Sequence, residues 1–147
     1  MKIATWNVNS VNVRLPNILK YLKDYQPDVL CLQELKCSED KYPLQEFVSA
    51  GYHSMQACQK TYNGVSIISK SQGMDCHLNP VAINDNEMRS ISATFGDLRV
   101  INFYVVNGQS IGSDKYIYKL KWLENARKYI KKQLSLYRKL VVVGDFN

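Results

Sequence analysis

The stretch KIATWNVNSVNVRLPNILKYLKDYQPDVLCLQE, Lys2–Glu34, decides the fold. Its opening run, KIATW, reads as a short buried strand that ends at Asn7. In the segment that follows, Ile18, Leu19, Leu22 and Tyr25 recur at helical spacing, with Pro16 in a first-turn position. Gln26-Pro27 halts that helix, because the residue before a proline is pushed out of the helical region. DVLCLQ, Asp28–Gln33, is then a second buried strand. Strand, helix and strand in so short a length predict a right-handed crossover between parallel strands. Both strands are nearly all apolar, as expected where helices cover a sheet.

Working outward, a short helix is expected around Pro43 to Ala50, ended by Gly51. The pattern then changes to YHSMQAC, GVSIISK, MDCHLNP, RSISATF and LRVINFYVV, joined by short connections. The tripeptide YNG before Val65 and Gly96-Asp97 are hairpin signals, so antiparallel neighbours are expected here. A long amphipathic helix follows, with Tyr116, Leu120, Leu123, Ile130, Leu134 and Tyr137 on one stripe. KLVVVGD is a final buried strand. With no repeat, low-complexity tract or linker, the chain reads as one α/β unit: a mixed β-sheet with flanking helices.

The 147 residues are a usual size for one domain, and their 46% hydrophobic and 22% charged content is that of an ordinary globular protein. No apolar run approaches the roughly 20 residues that span a membrane. The N-terminus MKIATWNVNS lacks the apolar core of a signal peptide, which predicts a cytoplasmic protein without membrane association. Cys31, Cys37, Cys58 and Cys76 have no CxxC spacing, so reduced structural thiols are expected rather than zinc ligands, with Cys31 and Cys58 inside strands. His53 falls in a strand and His77 in an irregular stretch, and both are read as packing or surface residues. Lys115–Lys139 holds nine basic residues and one acid, a local charge of +8 that leaves −2 on the rest of this +6 chain. Such a face suits a polyanion, although a solvated helix face is the plainer reading.

Three strands end in related polar residues: the first at Asn7, the second at Glu34, the last at Asp145 and Asn147. Ligands in α/β proteins bind beyond the carboxyl ends of strands. Were the three strands side by side and parallel, these residues would converge. Oxygen donors with few carboxylates suit Mg²⁺, with Glu34 and Asn7 as the ligand candidates. Asp145 could orient or deprotonate a water, and Asn147 could donate to a phosphoryl oxygen. Tyr104, at the end of its own strand before the Asn107-Gly108 turn, could hydrogen-bond a phosphate. Each residue taken singly could equally cap a turn or pack. Neither histidine is placed to supply an acid–base group.

Six blocks in order, ATWNVNSVNVR, LCLQELK, TYNGVSI, RSISATF, NFYVVNGQSIGSDKYIYKLKWL and VVVGDFN, closely resemble bacterial exonuclease III. That is the apurinic/apyrimidinic endonuclease branch of the endonuclease/exonuclease/phosphatase superfamily. The resemblance implies half of a four-layer, DNase I-like α/β sandwich. It also implies Mg²⁺-dependent hydrolysis of DNA, with Mn²⁺ as a substitute, during base-excision repair: cleavage 5′ to abasic sites and trimming of 3′ ends. By motif position it implies Glu34 and Asn7 at the metal, and Tyr104, Asp145 and Asn147 at the scissile phosphate and attacking water. Tyr62, Asn63, Gly64, Asn107 and Lys115 would meet double-stranded DNA, with Arg14 and Lys36 near it. The complete enzyme is expected to be a monomer.

Val106 departs from the family, whose members often have proline there. Relatives are also expected to continue for about as many residues again. That part would carry the second sheet, a further Asn/Asp pair and a Ser-Asp-His segment. The chain is therefore read as an N-terminal half, 1–147, with little or no nuclease activity by itself. The alternatives are a non-catalytic polyanion-binding domain and an inositol-phosphate or sphingomyelin phosphodiesterase of the same superfamily.

Overall fold

A computed structural model describes residues 1–84 and 86–147. The opening stretch folds as read: β1 (Ile3–Asn7), α1 (Val11–Tyr25) and β2 (Val29–Gln33), with β1 and β2 parallel. Ser10 caps α1 by accepting from Val13 N, and Gln26 ends it in the left-handed region. Pro16 lies deeper than the first turn, as the sixth helical residue, and leaves the Asn12 carbonyl without its helical donor. A 3-10 turn (Glu39–Lys41) and α2 (Leu44–Ser49) lead into β3 (His53–Ala57) and β4 (Val65–Ser69). Then come β5 (Met74–Leu78), β6 (Ser90–Phe95), β7 (Leu98–Tyr104), α3 (Asp114–Leu136) and β8 (Lys139–Asp145). His77 therefore sits in a strand, and Cys58 lies one residue past one.

The strands form two sheets, where one was expected. Their orders are β1-β2-β4-β3 and β5-β6-β7-β8. The expectation that the second sheet lies outside these residues is thus corrected. Gly96-Asp97 makes the two-residue β6–β7 turn, whereas YNG belongs to a longer β3–β4 loop, because Ala57 already pairs with Val65. Each sheet has one parallel pair made by a helical crossover: β1–α1–β2 in the first and β7–α3–β8 in the second.

The sheets pack face to face through Val29, Cys31, Ala57, Val65 and Ile67 on one side and Ile91, Ala93, Phe95 and Val100 on the other. Alternate residues turn outward. Leu30, Leu32 and Ile68 meet Ile18 and Leu22 of α1, while Ile101 and Phe103 meet Trp122 and Ala126 of α3. The inward stripe of α3 is Trp122, Ala126 and Gln133, buried, with Tyr118 and Ile130 half-buried beside them; of the expected stripe Ile130 packs inward, whereas Leu120, Leu123 and Leu134 are exposed. β1 and β8 are also less buried than expected, because each is an edge strand with one unpaired flank.

Candidate active site at the carboxyl ends of four strands

Strand periodicity places the polar residues. In-facing positions run Ile3, Thr5, Asn7 on β1; Cys31, Gln33 on β2; Val100, Asn102, Tyr104 on β7; and Val141, Val143, Asp145 on β8. Along each strand this row passes from apolar to polar as it nears the carboxyl end. The middle layer is a buried tie between the sheets. Asn102 Nδ2 donates to the Leu32 and Ser66 carbonyls at 2.9 and 3.0 Å, and its Oδ1 accepts from Gln33 Nε2 at 2.8 Å. Gln33 Nε2 also donates to Thr5 Oγ1 at 3.0 Å.

Above that tie the strand ends meet. Asn7 Nδ2 donates to Glu34 Oε1 at 2.9 Å and to Asp145 Oδ2 at 2.8 Å. The Tyr104 hydroxyl donates to Glu34 Oε1 at 2.8 Å, and Lys36 Nζ lies 3.2 Å from Glu34 Oε2. Tyr104 and Asp145 are register partners on parallel strands, so they stand side by side. The convergence read from the sequence is present, with different architecture: two strands come from each of two packed sheets rather than three from one.

Gly144 makes the close approach possible. A Cβ there would lie 1.9 Å from the Phe103 carbonyl oxygen, and its φ of +139° is one that side-chain-bearing residues rarely adopt. The loops form a continuous backbone belt. Val8 N donates to Gln33 O, Ser10 N to Glu34 O, Lys36 N to Asn63 O, Gly64 N to Met88 O, Tyr104 N to Arg89 O and Val105 N to Asp145 O, all at 2.8–3.0 Å. Asn9, Ser10, Glu34, Lys36, Asn63 and Asn147 hold φ values between 42° and 86°. Strained non-glycine residues of this kind cluster at functional sites, where surrounding bonds over-determine them.

Partial burial pushes the Glu34 carboxyl up, but hydrogen bonds from Asn7, Tyr104 and Lys36 outweigh it and hold it below its ordinary value. Burial first, and the Glu34 carboxylate second, push the Tyr104 phenol up to about 12. At neutral pH the site therefore carries an anionic Glu34 and a proton-bearing Tyr104.

Tyr104 also lines a 440 Å³ cleft with Tyr62, Asn63, Asn107 and Lys115. Asn63 and Gly64 are buried, and Gly64 contributes backbone to the belt. Asn147 stands at the rim, where its amide donates to Val105 O at 2.8 Å and its main-chain N–H to Asp145 Oδ1 at 3.0 Å. Arg89, Glu87, Asp114 and Tyr118 also line the cleft and escaped the sequence reading. The Arg89 guanidinium stacks 4.8 Å over the Tyr104 ring and is fixed by Glu87 at 2.6 Å. Its only sequence signal was an arginine opening the block RSISATF. Asn102 gave no signal, since a lone amide inside an apolar run has no periodic signature.

Residues 4–147 match the Endonuclease/Exonuclease/phosphatase family. The chain belongs to that family. It is 29% identical to exodeoxyribonuclease III of Haemophilus influenzae, covering 100% of this chain and 57% of the relative. Among solved structures, a Neisseria 3′ phosphatase bound to a product DNA hairpin aligns with TM-score 0.96 and 44% identity, over 100% of this chain and 58% of that one. An AP endonuclease from Archaeoglobus fulgidus aligns with TM-score 0.92 and 40% identity, over 99% and 56%. The chain thus spans little more than half the length of each family member named here. Among the described residues, no helix is long and apolar enough to cross a membrane.

Proposed function

We infer that this chain is the N-terminal part of a divalent-metal-dependent DNA phosphodiesterase of base-excision repair, acting at abasic sites and 3′ ends of duplex DNA. The observation that carries the reading is the single Asn7 amide bonded to both the Glu34 and Asp145 carboxylates, with the Tyr104 phenol on the first of them. A donor set of two carboxylates, an amide and a phenol is hard oxygen chemistry, which fits Mg²⁺, or Mn²⁺ in its place, and not a thiophilic ion. Glu34 would hold the ion, while Asn7, whose Oδ1 accepts from Asn9 N, positions the Glu34 and Asp145 carboxylates through its Nδ2; the ion when bound would supply positive charge against a phosphodiester oxygen.

The chain's own groups divide the remaining work. Tyr104, protonated at neutral pH, donates a hydrogen bond to a phosphate oxygen. Asp145 orients the attacking water and takes its proton, and Asn147 donates to the phosphoryl group. Tyr62, Asn63, Asn107 and Lys115 form the DNA side of the cleft, with Arg89 added from its position, and buried Gly64 supports that wall through its backbone. We further propose that the open edges of β1 and β8 receive the rest of the catalytic domain. Support comes from LVVV of β8, an apolar run left half-exposed at an edge.

Titration calorimetry with Mg²⁺ or Mn²⁺ tests the metal assignment. Glu34→Gln should weaken binding at least tenfold, and unchanged binding would sink that assignment. Cleavage of abasic duplex by the product of the whole reading frame tests the activity. Salt-dependent DNA binding indifferent to both abasic sites and Glu34→Gln would instead support polyanion binding by the exposed lysines of α3.

A further inference from the structure

Cys37 and Cys58 lie outside the machinery just described. Cys37 is three residues beyond Glu34 in the loop after β2, and Cys58 directly follows β3. Those strands are not neighbours, since β4 runs between them. The loops nevertheless fold over the strand ends so that Cys58 packs against the buried cluster that holds Cys37, and Lys60 and Thr61, just beyond Cys58, share one cleft with Cys37, which brings the two thiols within interaction range of each other. Both belong to the cluster beneath α1 that contains Val8, Leu35 and Tyr42. The backbone holds the arrangement: Leu35 N and Lys36 N donate to Gly64 O and Asn63 O at 3.2 and 3.0 Å. The pair can also be reached. Cys58 is half-buried, and Cys37 lines an open cleft rimmed by Lys36, Lys41 and Lys60.

The two thiols are electrostatically unequal. The interaction with the Cys58 thiol holds Cys37 below the ordinary thiol value despite burial and the nearby Glu39 and Asp40. Cys58 is pushed up by Cys37, by burial and by Glu39. Cys37 is therefore the thiol that ionises first, facing lysines, with a protonated thiol beside it. The other cysteines lack this setting. Cys31 is fully buried in β2 and Cys76 is exposed in β5.

We propose that Cys37 and Cys58 form a dithiol–disulfide pair that is oxidised by a hydroperoxide. The Cys37 thiolate attacks one peroxide oxygen, the O–O bond breaks, and the other oxygen leaves as water or an alcohol after taking a proton. Cys37 is then a sulfenic acid. The Cys58 sulfur attacks the Cys37 sulfur, the S–O bond breaks, and water leaves with the Cys58 proton. The thiols lose two electrons to the peroxide, and the balance closes on one disulfide. The bond ties the segment that follows Glu34 to the segment that leads to Tyr62 and Asn63. This goes beyond the nuclease reading and does not depend on it.

The test is peroxide treatment of the native protein, alkylation in denaturant and tryptic digestion. Cleavage after Lys36, Lys41 and Lys60 yields 37–41 and 42–60, which should appear as one linked species that dithiothreitol separates. Titratable thiols should fall from four to two per chain. Cys37→Ser and Cys58→Ser should each abolish the linked species, and in Cys58→Ser a sulfenic acid should be trapped on Cys37 by dimedone. Cys76→Ser should leave the link intact. The proposal fails if both thiols remain alkylatable at a peroxide concentration that oxidises Cys76. It fails too if urea-unfolded protein forms the link as readily as folded protein, because the fold would then contribute nothing.

Discussion

Removing the Asn102 side chain should separate the two halves of the site without touching a functional group. Asn102 is fully buried and makes three hydrogen bonds that cross between the sheets. In Asn102→Ala, Gln33 Nε2 keeps Thr5 Oγ1 and the Cys31 carbonyl, so it is not orphaned. The Leu32 and Ser66 carbonyls do lose a donor, in a place sealed from water. A net hydrogen bond contributes about 1 kcal/mol, and an unsatisfied buried group costs about 1–3 kcal/mol. Two such carbonyls and one lost net bond sum to about 3–7 kcal/mol, or roughly 6–28 °C in Tm for a chain of this size. Asn102→Leu distinguishes the causes. It refills the volume but restores no donor, so it should recover less than half of the loss. Urea unfolding followed by far-UV circular dichroism measures both variants. A loss below about 0.5 kcal/mol for Asn102→Ala, the range of an ordinary surface change, would refute the argument that this amide ties the sheets.

Gly144→Ala brings a Cβ to 1.9 Å from the Phe103 carbonyl oxygen, so β8 must shift; a destabilisation above about 3 kcal/mol is expected in urea unfolding. Gly96→Ala, where nothing lies within 4 Å of the added Cβ, should lose far less. Tyr104→Phe removes one of the hydrogen bonds that depress the Glu34 carboxyl, so its titration midpoint should move up toward the ordinary value in carbon-detected NMR. Since a depressed acid contributes stability that is lost as pH falls through its folded value, acid unfolding of that variant should begin at higher pH. The phenol carries the opposite sign: its shift to about 12 gives stability that is whole below its ordinary value of about 10 and is lost as pH rises through about 12. Arg89→Ala should weaken duplex binding and lower the slope of log affinity against log salt by about 1, read by fluorescence anisotropy; an unchanged slope would leave Arg89 only its stacking on Tyr104.

The sequence revealed the site better than it revealed the architecture. Asn7, Glu34, Tyr104 and Asp145 were legible as a group because each ends an apolar run and ligands bind beyond the carboxyl ends of strands, although any one of them alone could cap a turn. The division into two sheets was not legible. The runs VLCLQ of β2 and VINFY of β7 are buried on both faces, so their periodicity does not say which layer either joins. The face of α3 failed for a related reason. Apolar residues lie on two of its sides, and a pattern count prefers the leucines, whereas packing buried Trp122 and a polar partner, Gln133. Gln133 is buried because it accepts from Arg99 Nε at 2.7 Å, and Arg99 is itself fully buried. A buried arginine satisfied by long-range partners leaves no trace in a hydropathy pattern.

Dividing the site between two sheets changes how it works. Four strand ends in one sheet would lie in a row, and residues on adjacent strands are about 4.8 Å apart, so the outer pair would be too far apart for one amide to bridge. Two parallel pairs stacked face to face instead set β1 over β8, and Asn7 reaches Glu34 within its own sheet and Asp145 across the interface. The arrangement needs both crossovers to deliver their strands in the same direction, because only then do the carboxyl ends coincide. It also leaves β1 and β8 as unpaired edges, since each crossover sets its parallel strand at the outer side of its sheet. The open edges and the composite site therefore follow from one topological choice, and whatever pairs with those edges would border Asn7 and Asp145 directly.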